Sequence, residues 1–212
     1  MGSKMNKRVA TLAMLAATAA APAIAEVQGM VSGDPQAGEQ LAGSCVACHG
    51  PGGDSAAPTF PKLAGQSERY LAKQLLEIQS GARPVPTMAG QLDGMSKHDL
   101  QDLAAYFSAQ SGSGGAADPA LVELGERVYR AGIAEKGIAA CAACHSPTGV
   151  GNPLAGFPAL SGQHAAYTVT QLQAFRSGER SNDPERIMRD NAELLSDREI
   201  EAVSSYVAGL RP

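Results

Sequence analysis

The 212-residue sequence has no tryptophan, and aromatic residues make up only 4% of it. Aromatic rings are the largest apolar pieces a side-chain core can use. Their scarcity argues against one large conventional core and leaves room for a bulky buried cofactor. The length allows two small domains, provided something supplements each core. Basic residues are also few: 17 Lys and Arg stand against 21 Asp and Glu, a net charge of −4. That balance excludes nucleic acid and anionic lipid surfaces as partners. No alternating apolar pattern long enough for a strand occurs, which predicts an all-α chain. Only four cysteines are present, and they sit in two places.

The one long apolar run is at the start. Lys4, Lys7 and Arg8 precede an apolar stretch from Val9 to Ala23, and Ala23-Ile24-Ala25 offers small residues for cleavage. This is the pattern of a secretory signal peptide over residues 1–25. The run is short for a bilayer span, so the expectation is a mature periplasmic chain from Glu26 with at most loose membrane association. Removing the three basic residues of the leader takes the formal charge from −4 to −7. Export places the cysteines in an oxidising compartment, where thiols end up paired or otherwise consumed.

The remainder is an internal repeat. Asp34-Pro35 and Asp118-Pro119 each combine an N-cap with a first-turn proline, which predicts a helix start. Cys45-Val46-Ala47-Cys48-His49 and Cys141-Ala142-Ala143-Cys144-His145 follow, then Phe60-Pro61-Lys62-Leu63-Ala64-Gly65-Gln66 and Phe157-Pro158-Ala159-Leu160-Ser161-Gly162-Gln163. Helices are predicted from about Ser67 to Ser80 and His164 to Ser177, stopped by Gly81 and Gly178. Loops carrying Met88 and Met188 come next. Each repeat closes on a helix opened by a capping box, Ser96-x-x-Asp99 or Ser196-x-x-Glu199, eight residues beyond its methionine. Ser111 to Ala117 is Gly- and Ser-rich and reads as a linker. The domains are therefore expected at 26–110 and 118–212, joined by 111–117. The stretch from Ile133 to Ile138 has no counterpart in the first copy and reads as a surface insertion.

In CxxCH, a short helical turn presents two thiols and an imidazole to one face of a planar ring. The thiols can add to two vinyl groups as thioethers while the histidine binds iron. This assigns Cys45, Cys48 and His49 to one covalent haem c and Cys141, Cys144 and His145 to a second. Two disulfides, a redox-active CxxC, or a zinc site built from both pairs are the competing uses of the same residues. The repetition, with no cysteine left over, favours haem. Met88 and Met188 occupy matching positions and are the candidate second axial ligands. Met95 aligns with Leu195 and reads as core packing, and Met30 has no counterpart. His98 and His164 are unmatched and read as surface residues. A thioether is a neutral, soft ligand that favours ferrous iron and fills the last coordination position, which suits outer-sphere electron transfer over substrate chemistry.

Three weaker signals accompany these ligands. The carbonyls of Pro61 and Pro158 either accept the second ring N–H of each histidine or belong to ordinary turns. Gln66, Tyr70 and Gln74, matched by Gln163, Tyr167 and Gln171, form a polar helix stripe that faces either haem propionates or the other domain. Arg83 and Arg180 read as exposed arginines, with pairing to propionates as the alternative.

The paired CxxCH motifs, the Pro-x-Leu-x-Gly-Gln-like segments and the spaced methionines make the mature chain resemble the cytochrome c4 family of dihaem cytochromes. The resemblance implies a tandem of two cytochrome c folds related by pseudo-twofold symmetry, each wrapped around one covalent haem, with haem edges near one another. It also implies a periplasmic electron carrier with redox-protein donor and acceptor, the acceptor being a membrane terminal oxidase or related reductase. Two other readings use the same sites: an electron-outlet subunit of a dehydrogenase, such as a sulfide or alcohol dehydrogenase, and a dihaem peroxidase or gas sensor. The last needs an open iron position, which two matched methionines oppose. A non-haem redox or zinc protein is the reading without haem.

Overall fold

The computed structural model describes Met1 and residues 32–212. The signal-peptide assignment and Met30 therefore lie outside the described residues, Met1 apart. Among the described residues there is no strand, only two isolated bridges, Ile133 with Ile138 and Asn152 with Phe157. No described helix is long and apolar enough to cross a membrane.

Among the described residues, nine α-helices fall into two similar sets: α1 Pro35–Leu41, α2 Val46–His49, α3 Glu68–Gln79 and α4 Lys97–Ser108, then α5 Val122–Ala131, α6 Ala142–His145, α7 Ala165–Ser177, α8 Ile187–Ala192 and α9 Asp197–Gly209. Their ends follow from local chemistry. The Asp34 carboxylate accepts from the Gln36 N–H at 2.8 Å, with Pro35 at the first position of α1. Both predicted capping boxes form: Ser96 N–H donates to Asp99 at 2.7 Å, and Ser196 N–H donates to Glu199 at 2.7 Å. Ser67 caps α3, and Gly178, at φ 79°, ends α7.

Two expectations change. Asp118-Pro119 opens a single turn, in which Asp118 accepts from the Ala120 N–H, and α5 itself begins at Val122. The Ile133–Ile138 segment is more than a surface insertion. Its ends pair as a bridge, its 3-10 turn Ala134–Lys136 points outward, and Ile138 is buried in the core. Lys136 ties it to Glu199 at 2.7 Å.

Each set closes by crossing its first helix over its last. At the crossing of α1 and α4, a Cβ on Gly38 would collide with the Asp102 carbonyl and lie 2.8 Å from Tyr106 Cβ. In the second set, a Cβ on Gly125 would collide with the Ala202 carbonyl and lie 2.6 Å from Tyr206 Cβ. Only glycine lets the helix backbones approach this closely. Around the crossings pack Leu71, Leu100, Leu103 and Phe107 in the first set, and Val128, Tyr129, Ile200, Val203 and Val207 in the second. We expect Gly38→Ala and Gly125→Ala each to cost about 1–3 kcal/mol through overpacking. Gly43→Ala, whose added methyl meets nothing within 4 Å, should be nearly neutral. Denaturant unfolding of the cofactor-loaded protein checks the contrast, and equal losses at Gly38 and Gly43 would refute it.

Residues 111–117 are extended but not loose. Ser113 donates through its N–H and hydroxyl to Asp54 at 3.1 and 3.0 Å, and Lys62 Nζ donates to the Ser113 carbonyl at 2.8 Å.

Candidate functional site

α2 and α6 are single turns whose only task is to present three side chains. The His49 and His145 N–H groups bond back to the carbonyls of Cys45 and Cys141, both at 2.9 Å, which puts sulfur and imidazole on one side. The next residue leaves in the left-handed region in both copies, Gly50 at φ 74° and Ser146 at φ 68°. This turns the chain away and keeps the imidazoles inside, 8% and 5% exposed.

The ring orientation is set identically twice. His49 Nδ1 lies 2.9 Å from the Pro61 carbonyl, and His145 Nδ1 lies 2.9 Å from the Pro158 carbonyl. A carbonyl can only accept, so Nδ1 carries the hydrogen and Nε2 keeps its lone pair for a metal. Burial pushes both imidazole pKa values down, outweighing the carbonyl's opposite effect, so both rings are neutral at pH 7. Of the two uses left open for Pro61 and Pro158, the geometry selects histidine orientation.

No disulfide joins the four cysteines. Burial raises the Cys45 pKa and pushes Cys141 up to about 11, opposite to the lowered value that a redox-active CxxC uses. Among the described residues no three His, Cys, Asp or Glu side chains converge to hold a metal ion, so the two cysteine pairs do not combine into a zinc site.

One cavity of about 1330 Å³ runs between the two sets and is lined by His49, Met88, Cys141, Cys144, His145 and Met188. Its volume exceeds the roughly 300–1,000 Å³ of a single small-molecule site. A neutral histidine lone pair and a thioether from each set face a largely apolar space. That donor set fits two iron porphyrins; Cys141 and Cys144 line the cavity beside His145, while Cys45 and Cys48 stand on the turn that carries His49. Met95 and Leu195 pack against the two cores, as the alignment predicts. His98 is exposed and pairs with Asp102, while His164 reaches the other set, its Nε2 2.8 Å from the Ser55 carbonyl.

The polar stripes meet across the cavity's middle with pseudo-twofold symmetry. Gln66 exchanges two hydrogen bonds with the backbone of Ala159, both at 2.9 Å. Gln163 does the same with Lys62, at 3.0 and 2.9 Å. Arg83 donates to Gln74 at 2.9 Å and crosses to Tyr167 and Gln171, both at 3.0 Å. Arg180 donates to Gln171 at 2.7 Å and crosses to Tyr70 and Gln74, at 3.1 and 3.0 Å. The exposed reading of these arginines is thus corrected: they are 7% and 8% exposed and join the two sets. Each finds only neutral acceptors directly. Burial works against the Arg83 charge, but Tyr167, Tyr70 and Glu77 outweigh it and raise its pKa.

Sequence reasoning missed Asn182, which donates to Gln74 at 2.9 Å and Glu77 at 2.6 Å, and Lys73, which reaches the Asn182 carbonyl at 2.7 Å. Asn182 lies in a loop that is three residues longer in the second repeat, so no aligned partner marks it. Asp183 stands in the same longer loop and likewise has no aligned partner.

Comparison with known proteins gives a consistent result. The cytochrome c family model matches residues 35–111 and again 122–211. The chain is 54% identical over 189 residues to cytochrome c4 of Stutzerimonas stutzeri, covering 84% of this chain and 90% of that protein. It is 50% identical to cytochrome c4 of Azotobacter vinelandii, covering 97% and 100%. The crystal structure of reduced recombinant cytochrome c4 from Pseudomonas stutzeri superimposes with a TM-score of 0.84 at 54% identity, over 85% of this chain and all of that one. A protein of Thiomonas intermedia named thiosulfate dehydrogenase electron acceptor is 42% identical over 173 residues, covering 79% of this chain and 78% of that protein.

Proposed function

We propose the ligands, location and partner of this chain from its family: it belongs to the cytochrome c4 family of dihaem cytochromes, electron carriers with two covalently bound haem c groups. Cys45 and Cys48 would attach the first haem, and His49 and Met88 would hold its iron. Cys141 and Cys144 would attach the second, with His145 and Met188 holding its iron. The observation that carries this is the doubled geometry: two imidazoles fixed at 2.9 Å by Pro61 and Pro158 carbonyls, with one methionine per set lining the same cavity.

Haem supplies the redox change. The chain's own residues do the rest. The carbonyls hold the imidazoles as neutral Nε2 donors, the Met88 and Met188 thioethers would supply a second donor to each iron and so disfavour substrate binding, and the bridge between the sets fixes the two histidine turns relative to one another. Residues 26–212 work in the periplasm after removal of 1–25 and pass electrons to a membrane terminal oxidase or related reductase. Mixing the reduced protein with oxidase-containing membranes tests the partner. Rapid reoxidation that stops when the oxidase is inhibited is the expected result, and reoxidation indifferent to the inhibitor would remove the oxidase from the account. The relative named as an electron acceptor of thiosulfate dehydrogenase supports a second reading, in which such a dehydrogenase is the donor. Reduction of this chain by thiosulfate only when that enzyme is present would favour it.

A further inference from the structure

The two methionines are held very differently. Met188 is the second residue of the short helix α8, and the Asp183 carboxylate grips that end. One oxygen accepts from the N–H groups of Met188 and Arg189 at 3.0 and 2.9 Å, and the other pairs with Arg189 Nε at 2.7 Å. The Asp183 side chain is only 3% exposed. Between Asp183 and Met188 the chain passes through two consecutive left-handed non-glycine residues, Glu185 at φ 49° and Arg186 at φ 60°. Such backbone persists only where its surroundings over-determine it, and Asp183 is what holds both ends of the segment together.

Met88 has no such clamp. Its N–H donates to the Val85 carbonyl at 2.8 Å within a single 3-10 turn, Pro86–Met88. Among the described residues no side chain hydrogen-bonds to residues 84–91, and Pro86, Thr87, Ala89, Gly90 and Gln91 are exposed. A second cavity of about 270 Å³ lies against this loop, lined by Ile78, Pro84, Val85, Pro86, Met88 and Leu92 among others. It gives the thioether and its turn somewhere to move.

We infer that Met88 is the methionine that yields to a small added donor, such as imidazole, while Asp183 is a positioning residue that keeps Met188 in place. The inference rests on the methionine ligation proposed above. The exchange breaks the bond from Met88 Sδ and forms one from the incoming nitrogen lone pair, with no change of oxidation state. Apparent affinity for the added ligand scales with how often the site is open.

The test is an imidazole titration of the ferric holoprotein, followed by the far-red band that marks methionine bound to ferric haem. Half of the band should disappear first, and the other half should require about tenfold more imidazole or greater. In Met88→His the band that remains should be the resistant half. Asp183→Ala should bring that half down toward the sensitive one, and Asp183→Asn, which keeps an acceptor for the two N–H groups, should fall between. Simultaneous loss of both halves in the unaltered protein, or an imidazole-sensitive band in Met88→His, overturns the inference. A ferric protein lacking the band before any addition overturns the methionine ligation itself.

Discussion

Met88→His and Met188→His are each expected to lower the reduction potential of one haem by a few tenths of a volt, part of the roughly 0.8 V that axial ligands span. The reason is chemical: a thioether is neutral and soft and favours the ferrous state, whereas a second imidazole is a stronger base and favours the ferric one. The environment is otherwise retained, because His49 and His145 keep their carbonyl partners at 2.9 Å. For a one-electron couple 59 mV is a factor of ten, so a shift of about 0.2 V changes the internal equilibrium between haems by more than a thousandfold. An electron delivered to either variant should settle on the unmodified haem. Spectroelectrochemical titration reads this as one displaced wave and one unmoved wave, a different one in each variant. Unchanged potentials in either would mean that methionine is not a ligand.

The second large effect concerns the joint between the domains. Arg83 and Arg180 share Gln74 and Gln171 as acceptors and each reaches the opposite tyrosine, Tyr167 or Tyr70. Arg180 also lies over the Phe175 ring, 4.4 Å from its centroid. Truncating either arginine removes the donor of one tyrosine hydroxyl, Tyr167 or Tyr70, and one of the two guanidinium donors of both Gln74 and Gln171, at a cost of about 1–3 kcal/mol. Because Gln74 and Gln171 each keep one guanidinium donor in either single variant and lose both only in the double variant, the double variant should lose more than the sum of the single losses. Arg83→Ala with Arg180→Ala should split a single calorimetric transition into two, one for each domain. Retention of one transition at an unchanged Tm would show that the joint is held by something else.

Much of this was legible in the sequence because each feature has a local cause. The capping serines Ser96 and Ser196 need only a carboxylate three residues on, and the CxxCH turn needs only its own backbone. The repeat then gave each weak signal a second copy: Pro61 is matched by Pro158, and Met88 by Met188. The fate of Arg83 and Arg180 was not legible, because Ser-Gly-x-Arg looks the same whether the guanidinium meets water or a neighbouring domain. The recurring Gln-Tyr-Gln stripe was the available clue, and it left propionates and the other domain equally open. Ile138 was misplaced because an insertion seen only as unmatched sequence carries no mark of the bridge that turns it inward. Asp183 acts on Met188 from five residues upstream through a segment whose left-handed backbone neither Glu185 nor Arg186 advertises.

The most direct test of the account is the absorption spectrum of the protein matured in a periplasm, with haem quantified per chain in alkaline pyridine. The account predicts two haems with both vinyl groups saturated by thioethers, and in the ferric state a far-red methionine band that Met88→His and Met188→His each reduce by half. One haem per chain, a vinyl-bearing haem, or a band untouched by either substitution would contradict it.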